Sequence, residues 1–321
     1  MREFEVISGI RRGNASLGET VLVPPGDDLG AISLPDGGGV VLAGVDQVIE
    51  GVHLPPDAAP ERFAWKVAAR SLSDVAAMAA RPVGMVVAAS LSPAIDAEWA
   101  MRFSHELRRI GALHQCPVIG GDIAVLPSSD SPMVFSATVL AAPDAEVSGR
   151  MVLRSGARPG DLVCVTGSFG CSLDSDGAGH HEAFMPRVDV ALGLHRLLED
   201  RLTSMIDVSD GLGSELLHLS RESCVRMVVD EARIPRRSGA GIDQALFDGE
   251  DYELCFTVSG DSNPPSLIED VPVTVIGIVE SGSGVHLSDG LTTRPVEASG
   301  WEHGSDVAEG ECGSDSKGDS L

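Results

Sequence analysis

Several aspartates stand where a ligand could reach them. Asp27 and Asp28 lie in the turn Pro24-Pro25-Gly26-Asp27-Asp28, and Asp46 follows directly on the apolar run 40–45. Asp122 comes after Ile119 through Gly120 and Gly121, and Asp207 ends a strand that starts at Ser204. Asp210 stands three residues beyond, just before a helix. Each carboxylate is expected where a rigid element stops and backbone can approach a bound group. Hard oxygen ligands converging from several strand ends suit Mg²⁺, which takes one or two carboxylates together with substrate phosphates and keeps several waters. Taken singly, each aspartate has a plainer reading. An aspartate beside glycine is commonly a turn residue, and Asp210 before Gly211-Leu212 fits a helix N-cap. Asp74 falls within a helix whose next residue, Val75, faces the core, so a solvated face is its default, and His53 after Gly51-Val52 reads as a loop histidine.

Other ways of handling phosphate or acyl groups are missing. There is no G-x-x-x-x-G-K-[ST] loop, and lysine occurs only at Lys66 and Lys317, which excludes a P-loop kinase. Neither a G-x-S-x-G elbow nor H-E-x-x-H nor the H-R-D and D-F-G pair occurs.

The elements that must position these aspartates alternate along the chain. Phe4, Ile7 and Ile10 recur at helical spacing and predict a short opening helix. Strands are predicted at 40–45, 85–91 and 133–140. Helices are predicted at 60–80, where proline suits the first turn, and at 98–113. Pro117 to Ile119 leads into Gly120-Gly121-Asp122. A boundary near 150 precedes the turn-rich 154–161, and the pattern then resumes with strands at 162–166, 204–208, 225–229, 254–258 and 273–279 and helices at 189–198 and 212–221. This alternation predicts an α/β or α+β protein in two parts, 1–150 and 151–303, with 304–321 as a polar, disordered acidic tail.

The chain has 321 residues, enough for about two domains. With 48 acidic residues against 23 basic, its formal charge is −25. That charge, the absence of a basic stripe and an aromatic content of 4% argue against nucleic acid as a partner. An anionic membrane surface is disfavoured for the same reason. The longest charge-free stretch, 82–95, has 14 residues, short of the roughly 18–20 that span a bilayer. The opening MREFEVISGIRR does not resemble a signal peptide. Six scattered cysteines without a C-x-x-C pair fit free thiols, and the expectation is a cytoplasmic protein.

With these residues in view, the chain resembles the thiamine-monophosphate kinases, of the superfamily that includes aminoimidazole ribonucleotide (AIR) synthetase. The resemblance rests on PPGDDLGAI at 24–32, VDQVIEGVHL at 45–54, LSDVAAMAARP at 72–82, VIGGD at 118–122, LRSGARPGDLVCVTG at 153–167, IDVSDGL at 206–212 and GEDYELCFT at 249–257, in matching order. It implies an AIR synthetase-like fold whose N-terminal part contributes strands to a barrel across a homodimer. It also implies ATP-dependent phosphorylation of thiamine monophosphate to thiamine diphosphate, with several Mg²⁺ in the cleft. By motif position, Asp28, Asp46, Asp74, Asp122, Asp207 and Asp210 resemble the metal ligands, with Asp207 and Asp210 central to catalysis. Gly121, Asp122, Arg154 and Ser209 resemble nucleotide contacts, and His53, Glu250 and Trp301 resemble substrate contacts.

The chain departs from the family pattern at three places: Val45 where a hydroxyl residue is usual, Gly170-Cys171-Ser172 with a shortened loop to Pro186, and Asp248 before Gly249-Glu250-Asp251. These leave two other readings open, a nucleotide-binding paralogue without turnover and another ATP-dependent synthetase or kinase of the superfamily.

Overall fold

The computed structural model describes residues 17–174 and 179–297. The opening helix, Trp301 and the acidic tail lie outside these residues.

The first sheet takes strands β1 (Val21–Val23), β2 (Gly30–Ser33), β3 (Val40–Ile49), β4 (Ala80–Leu91), β5 (Val118–Val125) and β6 (Val134–Pro143) in the order β1-β2-β3-β6-β4-β5. All neighbours are antiparallel except β4 and β5, which run parallel. Helices α1 (Pro60–Ala77) and α2 (Ala97–Leu113) make the crossings. Asp96 caps α2, its carboxylate accepting from the Trp99 N–H at 2.8 Å. Helix α1 begins with Pro60 at its first position, where a missing N–H costs nothing. It ends at Met78, where Ala79 takes a positive φ of 48° and turns the chain directly into β4.

The second sheet holds β7 (Leu162–Thr166), β8 (Leu202–Asp207), β9 (Arg226–Asp230), β10 (Leu254–Val258), β12 (Val271–Glu280), β13 (Gly284–Ser288) and β14 (Thr293–Pro295), in the order β14-β13-β9-β12-β7-β10-β8. The short β11 (Leu267–Ile268) pairs with β12. Among the described residues, four helices accompany it: α3 (His180–Ala183), α4 (Val188–Leu198), α5 (Leu212–Ser223) and α6 (Ile242–Phe247). This mixed α/β architecture matches the expected α+β class.

Helix α1 is the central element. Most of its residues are buried, and Phe63, Leu72 and Val75 belong to one apolar cluster with Phe135 and Val139 of β6 and with Leu194, Met205 and Phe256 of the second half. A helix apolar on most of its circumference belongs in a core. Polar side chains on it therefore need an internal partner, which matters for the site. Among the described residues no helix is long and apolar enough to cross a membrane.

Three expectations are corrected. The strand predicted to stop at Val45 continues to Ile49, so Asp46 lies inside β3, opposite Ala137 of β6, and not after its end. The glycines before Asp122 do not end a strand either: β5 runs through them, and Asp122 pairs with Ala88. A Cβ on Gly121 would collide with the Val87 carbonyl, so glycine there permits close strand approach and forms no loop. The helix predicted over 60–80 gives up its last residues to the turn into β4.

Candidate active site

Three carboxylates from distant parts of the sequence meet. Asp28 comes from the turn between β1 and β2, Asp74 from α1 and Asp207 from the end of β8, and each offers an oxygen within 4.8 Å of the others. The two halves are tied together here. Ser73, next to Asp74 on α1, donates its hydroxyl to Asp207 Oδ2 at 2.6 Å. Arg154 donates through Nη2 to Asp28 Oδ1 at 2.6 Å, and its backbone N–H is shared by both oxygens of Asp27.

Gathering carboxylates out of water disfavours their charge, and the site shows it. Burial first, then the neighbouring Asp28, pushes both Asp27 and Asp207 up to about 7. Burial, followed by Asp46, Asp207 and Asp28, raises Asp74 well above the usual range. Burial also raises Asp46, although Arg70 opposes it. Such a group of carboxylates is poised for a cation, and Asp28 Oδ2 has no hydrogen-bond partner among the described residues. The all-oxygen donor set fits a hard divalent ion.

Asp74 thus corrects its solvated-face reading, because it turns into the cluster. Asp210 corrects the N-cap reading. The cap of α5 is Gly211, with φ at 108° and no side-chain bond, while the Asp210 N–H donates to Glu215 Oε1 at 3.2 Å. Asp122 and Gly121 stand exposed on β5, and Asp122 is not part of the carboxylate group found among the described residues.

A second centre adjoins the first. The segment Gly249-Glu250-Asp251-Tyr252 has positive φ at Gly249 (73°), Glu250 (57°) and Tyr252 (50°), a run that side chains tolerate only under constraint. It is fixed by the Glu250 N–H donating to the Ser209 carbonyl at 2.6 Å and the Tyr252 N–H donating to the Val208 carbonyl at 2.7 Å. Glu250 is thereby aimed at Lys66, with which it forms a short ion pair. Burial works against its charge, but Lys66 above all, then the His181 hydrogen bond, holds the Glu250 carboxyl well below the usual range. Lys66 also donates to the His53 carbonyl at 3.0 Å and lies 2.7 Å from His181 Nδ1. His53 is buried, and its Nδ1 accepts the Ile49 N–H at 2.9 Å, so the ring closes a turn while the backbone carbonyl reaches Lys66.

Sequence reasoning did not single out Lys66, Arg70, Ser73 or Glu215. One signal for the first two was present: in an acidic chain with two lysines, Lys66, Arg70 and Asp74 recur at fourfold spacing on a helix.

Known proteins resemble this chain over most of its length. Residues 26–142 match the family described as AIR synthase related protein, N-terminal domain. The chain is 28% identical over 296 residues to the thiamine-monophosphate kinase of Pyrococcus abyssi, covering 87% of this chain and 90% of that one. It is 32% identical over 259 residues to the thiamine-monophosphate kinase of Salmonella typhimurium, covering 73% and 75%. A solved structure, AaThiL complexed with AMPPCP and TMP, superposes with a TM-score of 0.77 at 26% identity, covering 94% of this chain and 97% of that one.

Proposed function

Since the chain belongs to the thiamine-monophosphate kinase family and is a kinase, we propose that it passes the γ-phosphoryl group of ATP directly, in line, to the phosphate of thiamine monophosphate. The observation that carries the reading is the convergence of Asp28, Asp74 and Asp207 beside the Glu250 centre. The solved relative bound to AMPPCP and TMP supports an ATP-like donor and this acceptor.

The acceptor explains the inventory of side chains. A phosphate monoester has a second pKa of about 6, so it is already an anionic nucleophile near neutral pH and needs no strong base. The obstacle is the approach of two polyanions, which calls for cations and positioning. Asp28, Asp74 and Asp207, with Asp46 and Asp210 at their margin, would hold Mg²⁺, and the ion when bound supplies neutralising charge for the phosphates. Asp207 is held by Ser73, and Asp28 by Arg154. Asp122, the sixth ligand by resemblance, would have to be reached from β5. Arg154, Ser209 and Gly121 are assigned to the nucleotide. Glu250, His53 and Trp301 are assigned to the thiamine rings, where a carboxylate suits a cationic thiazolium or a pyrimidine amine and an aromatic can stack.

Two further parts of the reading concern organisation. Residues 1–150 and 151–303 are assigned as two units with the cleft between them. The protein is assigned as a homodimer joined through β5, whose Ile119, Ile123 and Val125 are 61–68% exposed. An open edge strand with apolar side chains is a template for pairing.

The test is incubation with ATP, Mg²⁺ and thiamine monophosphate, with Asp210→Asn alongside. Thiamine diphosphate formed by the parent and lost in the variant is the expected result. A phosphorylated protein after ATP alone would rule out direct transfer.

A further inference from the structure

Lys66, Arg70 and Asp74 sit at i, i+4 and i+8 of α1, on one face, each step rising about 6 Å along the axis. The two ends of this stripe are occupied. Lys66 is committed to Glu250 and the His53 carbonyl, and Asp74 to the carboxylate cluster. Arg70 stands between them. Its Nη1 is 3.6 Å from Glu250 Oε1 and its Nη2 is 3.7 Å from Asp46 Oδ1, both too long for hydrogen bonds. Its Nε and Nη1 are buried and have no hydrogen-bond partner among the described residues.

A guanidinium stays protonated under all working conditions. Buried donors are nearly always paired, so idle ones ask what pairs with them. Here two carboxylates flank the group without capping it. A planar cation with donors to spare matches the oxygens of a phosphate.

We propose that Arg70 binds the phosphate of the acceptor and so sets the preference for a phosphorylated over an unphosphorylated substrate. The inference rests on the functional reading above. In that reading Glu250 marks the ring end of the acceptor and the Asp28–Asp74–Asp207 cluster marks the donor end. The acceptor's phosphate must lie between its own rings and the phosphoryl group it attacks, and Arg70 is the cation at that midpoint. Arg154 is engaged with Asp28, and Lys66 is neutralised by Glu250.

The experiment compares dissociation constants for thiamine monophosphate and thiamine, which differ only by the phosphate, in the parent, Arg70→Gln and Arg70→Lys. AMPPCP binding serves as a control. In Arg70→Gln the preference for the phosphate ester is expected to fall about 10- to 100-fold, the worth of a charged hydrogen bond. Thiamine and AMPPCP binding should stay within about threefold. Arg70→Lys keeps the charge without the planar fork and should recover part of the preference; it also stands in if the glutamine variant fails to melt cooperatively. A preference unchanged in both variants overturns the assignment, as does loss of AMPPCP binding with the preference intact. Failure of the functional reading is seen separately, as a parent that forms no thiamine diphosphate.

Discussion

Arg154 Nη2 and Asp28 Oδ1, 126 residues apart in the chain, lie 2.6 Å from each other with the Asp28 side chain fully buried. This pair joins the turn after β1 to the start of the second half and borders the carboxylate cluster. Removing the cation leaves a buried carboxylate uncompensated, which costs about 3–5 kcal/mol. Arg154→Met should therefore lower the midpoint of urea unfolding, and adding Asp28→Asn should restore part of it. A double variant no more stable than Arg154→Met would contradict this account.

Crowding of carboxyls in the acidic cluster is relieved by a bound cation or by loss of one of them. Asp207→Asn or Asp74→Asn should reduce kcat by about 10²–10³, in the range for losing one preorganised electrostatic group. The same variants should melt higher than the parent in EDTA, since a buried carboxyl whose ionisation is opposed by burial and its neighbours is gone. Conversely, Mg²⁺ at about 100 times its dissociation constant should stabilise the parent by roughly 2.7 kcal/mol and the variants far less. Thermal melts with and without metal read both effects, and equal Mg²⁺ stabilisation of all three proteins would exclude the cluster as the ion site.

Acid sensitivity is expected from His195 of α4. The residue is buried, and burial above all pushes its imidazole down to about 4 from the usual 6.5. Between those values the unfolded chain binds a proton that the native one does not, so stability falls as pH falls. The contribution is complete above about 6.5 and lost as pH drops through about 4. Unfolding free energies of the parent and His195→Gln measured from pH 7.5 to 4 should converge toward the acid end. Parallel curves would show that another group carries the slope.

The exposed face of β5 predicts association. Placing charge at two of its apolar positions, Ile119→Asp with Ile123→Asp, should shift the protein from dimer to monomer in sedimentation equilibrium. Mg²⁺-dependent stabilisation should persist, because neither side chain belongs to the Asp28–Asp74–Asp207 group. A parent that sediments as a monomer would remove this assignment.

Much of the molecule is written locally. Alternation of apolar runs and 3.6-residue periods placed most strands and helices near their observed bounds, because each element buries one face and its period records which. The glycine-bracketed aspartates and the GEDYELCFT and SDVAAM segments were legible for the same reason, as chemistry held in short stretches. Spacing failed where an element's end depends on its neighbours. Pairing with β6 carries β3 on to Ile49 and places Asp46 mid-strand, and pairing with β4 draws Gly120, Gly121 and Asp122 into β5. Propensity cannot report such ladders, since glycine in a strand looks like a turn until a partner strand lies beside it. Likewise no local pattern says that Asp74 meets Asp207, or that Lys66 meets a glutamate 184 residues away. Those meetings follow from packing α1 between the two halves. Sequence alone marked the aspartates as candidate cation ligands; tertiary structure decided which of them share a site and which basic groups stand beside them, because side chains so far apart in sequence are brought together only by the way the buried faces of their elements pack.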